Sequence, residues 1–329
     1  MNKKCLSWLL VGFLLAMVFP AYAQPQGRVA RIGFLSGSGD PAKPPYSLNA
    51  FRQALRDVGY IEGKNYALEQ RYAAGNRELI PGLVAELVQL KVDVIATGNL
   101  TAIRAAMQAT KTIPILMVTN ADPVATGLVD SLARPGGNVT GFTTLSRDLS
   151  GKRLELLKEI LPKVSRVGIL WDESNEGSAI GFKEYEAAAR LFKITLQSLA
   201  IRGPNPDLEG VFGAAVKARA SALIPIRSAV ILRYPKQIAE LAIKSKLPSM
   251  HDASNEVDAG GLVSYSVNDA DQWRRAAVYV DKILKGTKPA DLPVEQPMKF
   301  EFIVNLKTAK QIGVTIPPNV LVRADRVIK

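Results

Sequence analysis

Two apolar stretches of the chain break off into residues able to hold an anion. VDVIA runs into Thr97-Gly98-Asn99, and ILMV runs into Thr119-Asn120-Ala121-Asp122. Hydroxyls, side-chain amides and backbone N–H groups at strand ends, beside helix starts, suit a carboxylate. Asp122 offers the opposite charge and would pair a ligand ammonium, although a carboxylate before Pro123 is equally a helix cap, as Thr101 could be. A second group follows later. Trp171-Asp172 sets an aromatic face beside a carboxylate, with Asn175 just beyond, and the plainer role for Trp171 is to seal a core. Arg227, after the apolar run Ala222 to Ile226, would grip a carboxylate with two parallel hydrogen bonds. His251-Asp252 follows Met250, and a lone histidine in a loop is often simply a hydrogen-bonded structural residue. Near the start, Ser36, Ser38 and Tyr46 accompany Gly37 and Gly39, whose lack of a side chain lets a small ligand approach the backbone.

Catalytic constellations are scarce. The chain has one histidine and one cysteine, no G-x-S-x-G elbow and no His-Glu-x-x-His pair, so neither a nucleophile with its base nor a metal site is expected. A serine hydrolase would have to use His251, whose neighbour Asp252 points the other way in an extended segment. Gly37-Ser38-Gly39-Asp40-Pro41-Ala42 has the spacing of a dinucleotide fingerprint, but Pro41, Pro44 and Pro45 block the helix that should receive a pyrophosphate. No cofactor is expected.

The candidate groups need elements that bring them together. Between the first two breaks, Ile103, Ala106, Met107 and Thr110 recur at helical spacing, which makes the stretch a βαβ unit with both breaks on one sheet edge. A strand over 29–35, a helix after Ser47 as cap, a strand over 66–72 and a helix over 77–90 precede it. A turn, with a helix beginning near Asp122, and a strand over 139–143 follow. After Ser146 the alternation restarts, with strands near 167–171, 194–200, 222–226, 247–250 and 262–265 and helices between them. The fold class expected is therefore α/β, two lobes with parallel sheets and a cleft between them. The lobes are expected at 24–144 plus about 268–298, and at 145–267. Residues 299–329 are left without a lobe, and the hinges are expected at 143–146 and 267–269.

Composition sets the outer limits. Lys3 and Lys4 precede a run of about a dozen apolar residues that closes on Ala21-Tyr22-Ala23, the pattern of a cleaved secretory leader over 1–23, with Gln24 first in the mature chain. The apolar run is short for a membrane span. Cys5 leaves with this leader, so a mature chain without thiols or disulfides is expected. The 42 basic and 30 acidic side chains give +12, and +10 once Lys3 and Lys4 are gone. The charges are dispersed, with no basic run interleaved with aromatics, so nucleic acid is not an expected partner.

The order of IGFLSGS, the Gly59 to Asn65 run, DVIATG, IPI-x-MVTNADPV, GLV-x-SLARPGGNVTG, LELLKEILP, AGGLVSYS, RRAAVYVDKILKG, PADLPVEQP, KFEFIVNLKTAKQIG and TIPP resembles the ABC transporter substrate-binding proteins that include tryptophan- and other aromatic-amino-acid-binding members. The resemblance spans almost the whole mature chain. It implies a type I periplasmic-binding-protein fold, with two Rossmann-like lobes and a ligand in the cleft between them. It also implies a periplasmic, monomeric, non-enzymatic protein that takes a small-molecule ligand, an amino acid or related carboxylate, and presents it to an ABC permease. The pattern departs at Thr97-Gly98-Asn99, where relatives commonly carry Gly-Thr-Pro, and at Trp171, where Tyr or Phe is usual. An exported enzyme or a ligand sensor would use the same cleft. A sugar-repressor-like transcription factor would need a DNA-binding helix pair where the leader stands.

Overall fold

The computed structural model describes residues 29–42, 44–144, 147–297 and 299–329. The expected leader lies outside them, as do residues 145 and 146 of the first expected hinge. Five strands form one all-parallel sheet: β1 Ala30–Ser36, β2 Tyr66–Tyr72, β3 Val94–Thr97, β4 Ile115–Thr119 and β5 Val139–Thr143, in the order β2-β1-β3-β4-β5. β3 and β5 are buried throughout and β4 nearly so, as expected of strands covered by helices on both faces. The helices are α1 Tyr46–Asp57, α2 Ile80–Gln89 and α3 Leu100–Ala109.

The pattern then repeats. After α4 Arg147–Ile160 come β6 Arg166–Asp172, α5 Glu176–Phe192, β7 Thr195–Ile201, α6 Leu208–Lys217, β8 Ala222–Pro225 and α7 Pro235–Lys244. The strands pair in parallel in the order β7-β6-β8, the arrangement of the first three strands again. β9 Met250–His251 continues this sheet through a parallel bridge between Leu223 and Ser249. After the short α8 Ser254–Asp258, β10 Val263–Val267 runs parallel to β9.

The chain next returns to the first sheet. α9 Asp269–Leu284 packs on α1, with Trp273 wedged between Phe34 and Phe51 at centroid separations of 5.2 and 5.6 Å. Loss of such a buried aromatic side chain costs about 3–5 kcal/mol. Glu295 then exchanges backbone bonds with Gly141 and Thr143 at the β5 edge. Beyond it, β11 Phe300–Asn305 lies antiparallel to β10, and after α10 Leu306–Ile312 and α11 Pro318–Leu321 the strand β12 Arg326–Ile328 closes the second sheet beside β11. The C-terminal segment thus adds its strands to the second sheet.

Three local expectations are corrected. α1 begins at Tyr46 with Pro45 in the N-cap position and no side-chain cap bond, so Ser47 lies inside the helix. The residues after Asp122 form turns and no regular helix, because Thr126, Gly127, Leu128 and Val129 all fold back onto 122–124. Asn99, rather than Thr101, caps α3, its Oδ1 accepting from Ala102 N–H at 3.0 Å.

Candidate functional site

In each sheet the strand order reverses direction beside the strand that comes first in the chain, between β1 and β3 and again between β6 and β8. Open α/β sheets take ligands at such a point, outside the carboxyl ends of the strands. Here the two crevices face each other across one cavity of about 150 Å³.

The first wall is made of strand-end loops. After β1, Ser36 Oγ donates to Ser38 O at 2.5 Å and accepts from Ser38 N–H, which folds Ser36-Gly37-Ser38 tightly against the cavity. After β3, Gly98 and Asn99 line it. A Cβ on Gly98 would stand 2.8 Å from Val118 O, so the backbone approaches β4 as only glycine allows. Thr119 and Asn120 follow β4, and Thr144 follows β5. The second wall repeats this. Asn175 caps α5 by accepting from Ser178 N–H at 2.9 Å, as Asn99 caps α3, and both asparagines line the cavity. After β8 come Arg227, Ser228 and Ala229. Arg227 is held from behind by Asp252: its backbone N–H donates to Oδ2 at 3.3 Å, its Nη2 to Asp252 O at 3.3 Å, and its Nε lies 3.6 Å from Oδ1.

Eight expected residues therefore meet around one cavity: Ser36, Ser38, Gly98, Asn99, Thr119, Asn120, Asn175 and Arg227. The others do not line it. Tyr46 is 62% exposed, because the helix starts one residue before Ser47 and it is Ser47 that turns inward. Thr97 is fully buried under the loop it ends, its Oγ1 accepting from Asn99 N–H. Asp122 spends its carboxylate on the N–H groups of Val124 and Ala125, which closes the turn that follows it. Trp171 lies one residue short of the strand end and so faces along the sheet's flank, stacked on Phe182 at 4.8 Å with Nε1 donating to Ser198. Asp172 is buried and accepts from both Ser174 N–H and Ser174 Oγ, shaping the turn that delivers Asn175. Asp252 borders a neighbouring cavity of about 20 Å³, shared with Asn120, Arg153, Glu184 and Tyr185. Burial pushes the Tyr185 hydroxyl above its ordinary pKa, which keeps the group neutral beside these charges.

His251 has a different place altogether. It sits 1% exposed between Glu256 (Nδ1 to Oε2, 3.0 Å) and Ser249 (Nε2 to Oγ, 2.8 Å). The order serine, histidine, carboxylate is that of a nucleophile, base and orienter. All three are buried inside the second lobe, however, border neither cavity, and Ser249 Oγ also accepts from Leu262 N–H. The array closes the turn between β9 and β10.

The sequence reading missed Phe34, Ser47, Thr144, Ser228, Gln272 and Trp273, which also line the cavity. Gln272 and Trp273 reach it from α9, far along the chain from Thr144, the last of the other members of the first wall. Trp273 and Phe34 give the cavity an aromatic side, opposite in character to Arg227. Beside the cavity the lobes touch directly. Arg104 of α3 meets Glu176 of α5 through Nε at 3.0 Å and Nη2 at 2.8 Å, Arg77 donates to Ser174 O, and Arg233 donates to Ala74 O.

Known proteins share this arrangement. A conserved domain protein of Vibrio cholerae has a crystal structure that superposes with a TM-score of 0.81 at 27% identity, over 91% of this chain and 100% of that one. The ABC domain of Streptococcus pneumonia in complex with L-Trp superposes with a TM-score of 0.81 at 26% identity, over 91% of this chain and 99% of that one. The tyrosine-binding protein of Clostridioides difficile is 27% identical over 263 residues, 80% of this chain and 75% of the relative. These are type I periplasmic-binding-protein folds, and a family model described as ABC transporter substrate binding protein matches residues 45–328. The chain belongs to the family of ABC transporter substrate-binding proteins.

Proposed function

We propose that the protein captures an amino acid, an aromatic one in the first instance, in the cavity between its lobes and hands it to the permease of an ABC importer. One observation carries this reading: a cation held ready by a neighbouring carboxylate, Arg227 on Asp252, shares a cavity with the aromatic side formed by Phe34 and Trp273. The guanidinium attracts the ligand carboxylate, and a charge-assisted pair of this kind contributes about 1.5–3 kcal/mol. The loop N–H groups and hydroxyls of Ser36 to Ser38 and of Gly98 and Asn99 supply further polar contacts, and the aromatic rings receive the side chain. The L-Trp complex from Streptococcus pneumonia and the tyrosine-binding protein of Clostridioides difficile support an aromatic ligand.

Binding proceeds by hinge closure. The ligand touches both walls only when they approach, so it stabilises the closed form by the contacts it gains there. The hinges are the described parts of the expected connections, 143–144 and 267–269, where the chain passes between the two sheets. In support, the chain superposes on the L-Trp complex with a TM-score of 0.81 but on the ligand-free, open substrate-binding protein of Clostridium difficile with 0.61, at almost equal identity, 26 and 25%. The leader over 1–23 would direct the chain to the periplasm, where it works as a monomer. The cleft carries its ligand without transforming it.

Isothermal titration of ligand-stripped protein against L-tryptophan, L-tyrosine, L-phenylalanine and then the remaining amino acids tests the reading. Saturable one-to-one binding of an aromatic amino acid is expected. Folded protein that binds no amino acid would overturn it.

A further inference from the structure

Gln272 is the one cavity-lining side chain among the described residues that combines near-complete burial with a polar atom left without a partner. It is 2% exposed, and its Nε2 meets no acceptor. On α9 it occupies the same stripe as Ala276, Tyr279 and Ile283, all packed into the first lobe. An apolar residue would serve that packing better, because a buried donor without an acceptor costs stability. Such a group is explained by a partner that arrives from outside. The donor also stands in the first turn of a 16-residue helix capped by Asn268, where the helix dipole favours a negative partner.

We propose that Gln272 is a ligand-reading residue whose side-chain N–H donates to a carboxylate oxygen of the bound amino acid. The inference rests on the amino-acid reading above and extends it. The carboxylate is then recognised from both lobes, by Gln272 on the first and Arg227 on the second. Neither contact is complete until the walls meet, which makes the carboxylate the group that reports closure.

The test compares wild type with Gln272→Met, which keeps the volume and removes the donor, and Gln272→Glu, which replaces it with an anionic acceptor. Melting temperatures are measured without ligand, and affinities for L-tryptophan, L-tyrosine and L-tryptophanamide by calorimetry. Gln272→Met is expected to melt at the wild-type temperature or above it while binding both amino acids about 10- to 100-fold more weakly. In Gln272→Glu the loss is expected to be larger for L-tryptophan than for its amide, since only the acid sets one anion against another. Wild-type affinity in Gln272→Met would overturn the inference while leaving the amino-acid reading intact. So would a lowered melting temperature with equal weakening of all three ligands, the mark of a purely structural role. Failure of the wild type to bind any of them would instead overturn the amino-acid reading itself, and this inference with it.

Discussion

Gly37 gives a direct handle on closure, because it lies on the first wall and touches the second. A Cβ added there would stand 3.0 Å from the Cβ of Ala229 across the cleft and 2.7 Å from Asn99 Nδ2 within its own lobe. Carbon atoms in ordinary contact are about 3.5–4.0 Å apart, so Gly37→Ala leaves the walls about 0.5–1 Å too close. Overpacking of this order costs about 1–3 kcal/mol. The part against Ala229 is incurred only when the lobes are together, so it falls on binding. The whole cost would correspond to about 5- to 150-fold, so a loss of affinity bounded by that range follows, measured by calorimetry with the ligand found for the wild type. The part against Asn99 is present in either state and appears instead as a lower melting temperature, since that side chain is fixed as the α3 cap. Ala229→Gly separates the two. The double variant should recover the affinity lost across the cleft and none of the stability lost within the lobe, an interaction readable from the four-way cycle. Wild-type affinity in Gly37→Ala, or no recovery on adding Ala229→Gly, would refute closure onto this loop.

Other perturbations reach different parts of the account. Arg104→Ala removes the two-bond pair with Glu176 at the rim; both side chains are partly exposed, so a loss of only about 2- to 5-fold in affinity is expected, shrinking as salt is raised. Of the two tryptophans among the described residues, Trp273 lines the cavity and Trp171 does not, so the change in tryptophan emission on adding a non-fluorescent or tyrosine ligand should vanish in Trp273→Phe and survive in Trp171→Phe. Burial, assisted by its hydrogen bond to Asp281, pushes the Tyr60 hydroxyl from 10.0 up to about 12. The raised value favours the protonated form in the folded state. Its stabilising contribution is therefore complete below pH 10 and lost as pH climbs to about 12, and Tyr60→Phe should flatten the fall in melting temperature over that window.

Much of the fold was legible because the strands are covered on both faces. Runs such as Val94–Thr97 and Ile115–Thr119 stay apolar up to the closing threonine, and each gives way there to small polar residues that mark the ligand edge. Asn99 and Asn175 both stand just beyond a strand in the sequence, but their shared role as caps of the next helices emerges only in the structure. What stayed hidden has physical causes. The strand runs to Asp172, one residue past the Trp171 end that its apolar run suggests, and the two-residue period of a strand makes that single step a change of face. His251 looked available because its loop is short and polar, but Glu256 and Ser249 draw it inward. Gln272 and Trp273 were out of reach because the chain returns to the first lobe through α9, a tertiary fact without local signature. One sign was present: a glutamine on the same helical stripe as Ala276, Tyr279 and Ile283 breaks an otherwise apolar face, and that break points to the cavity.

The central claim is that the cleft holds an amino acid and returns it unchanged. Native mass spectrometry of ligand-stripped protein, incubated with a mixture of the common amino acids and then unfolded in the gas phase, tests it in one measurement. The account predicts a one-to-one complex that selects an aromatic amino acid and releases it at its original mass after prolonged incubation. Folded protein that stays bare in the mixture, or a released molecule of altered mass, would contradict it.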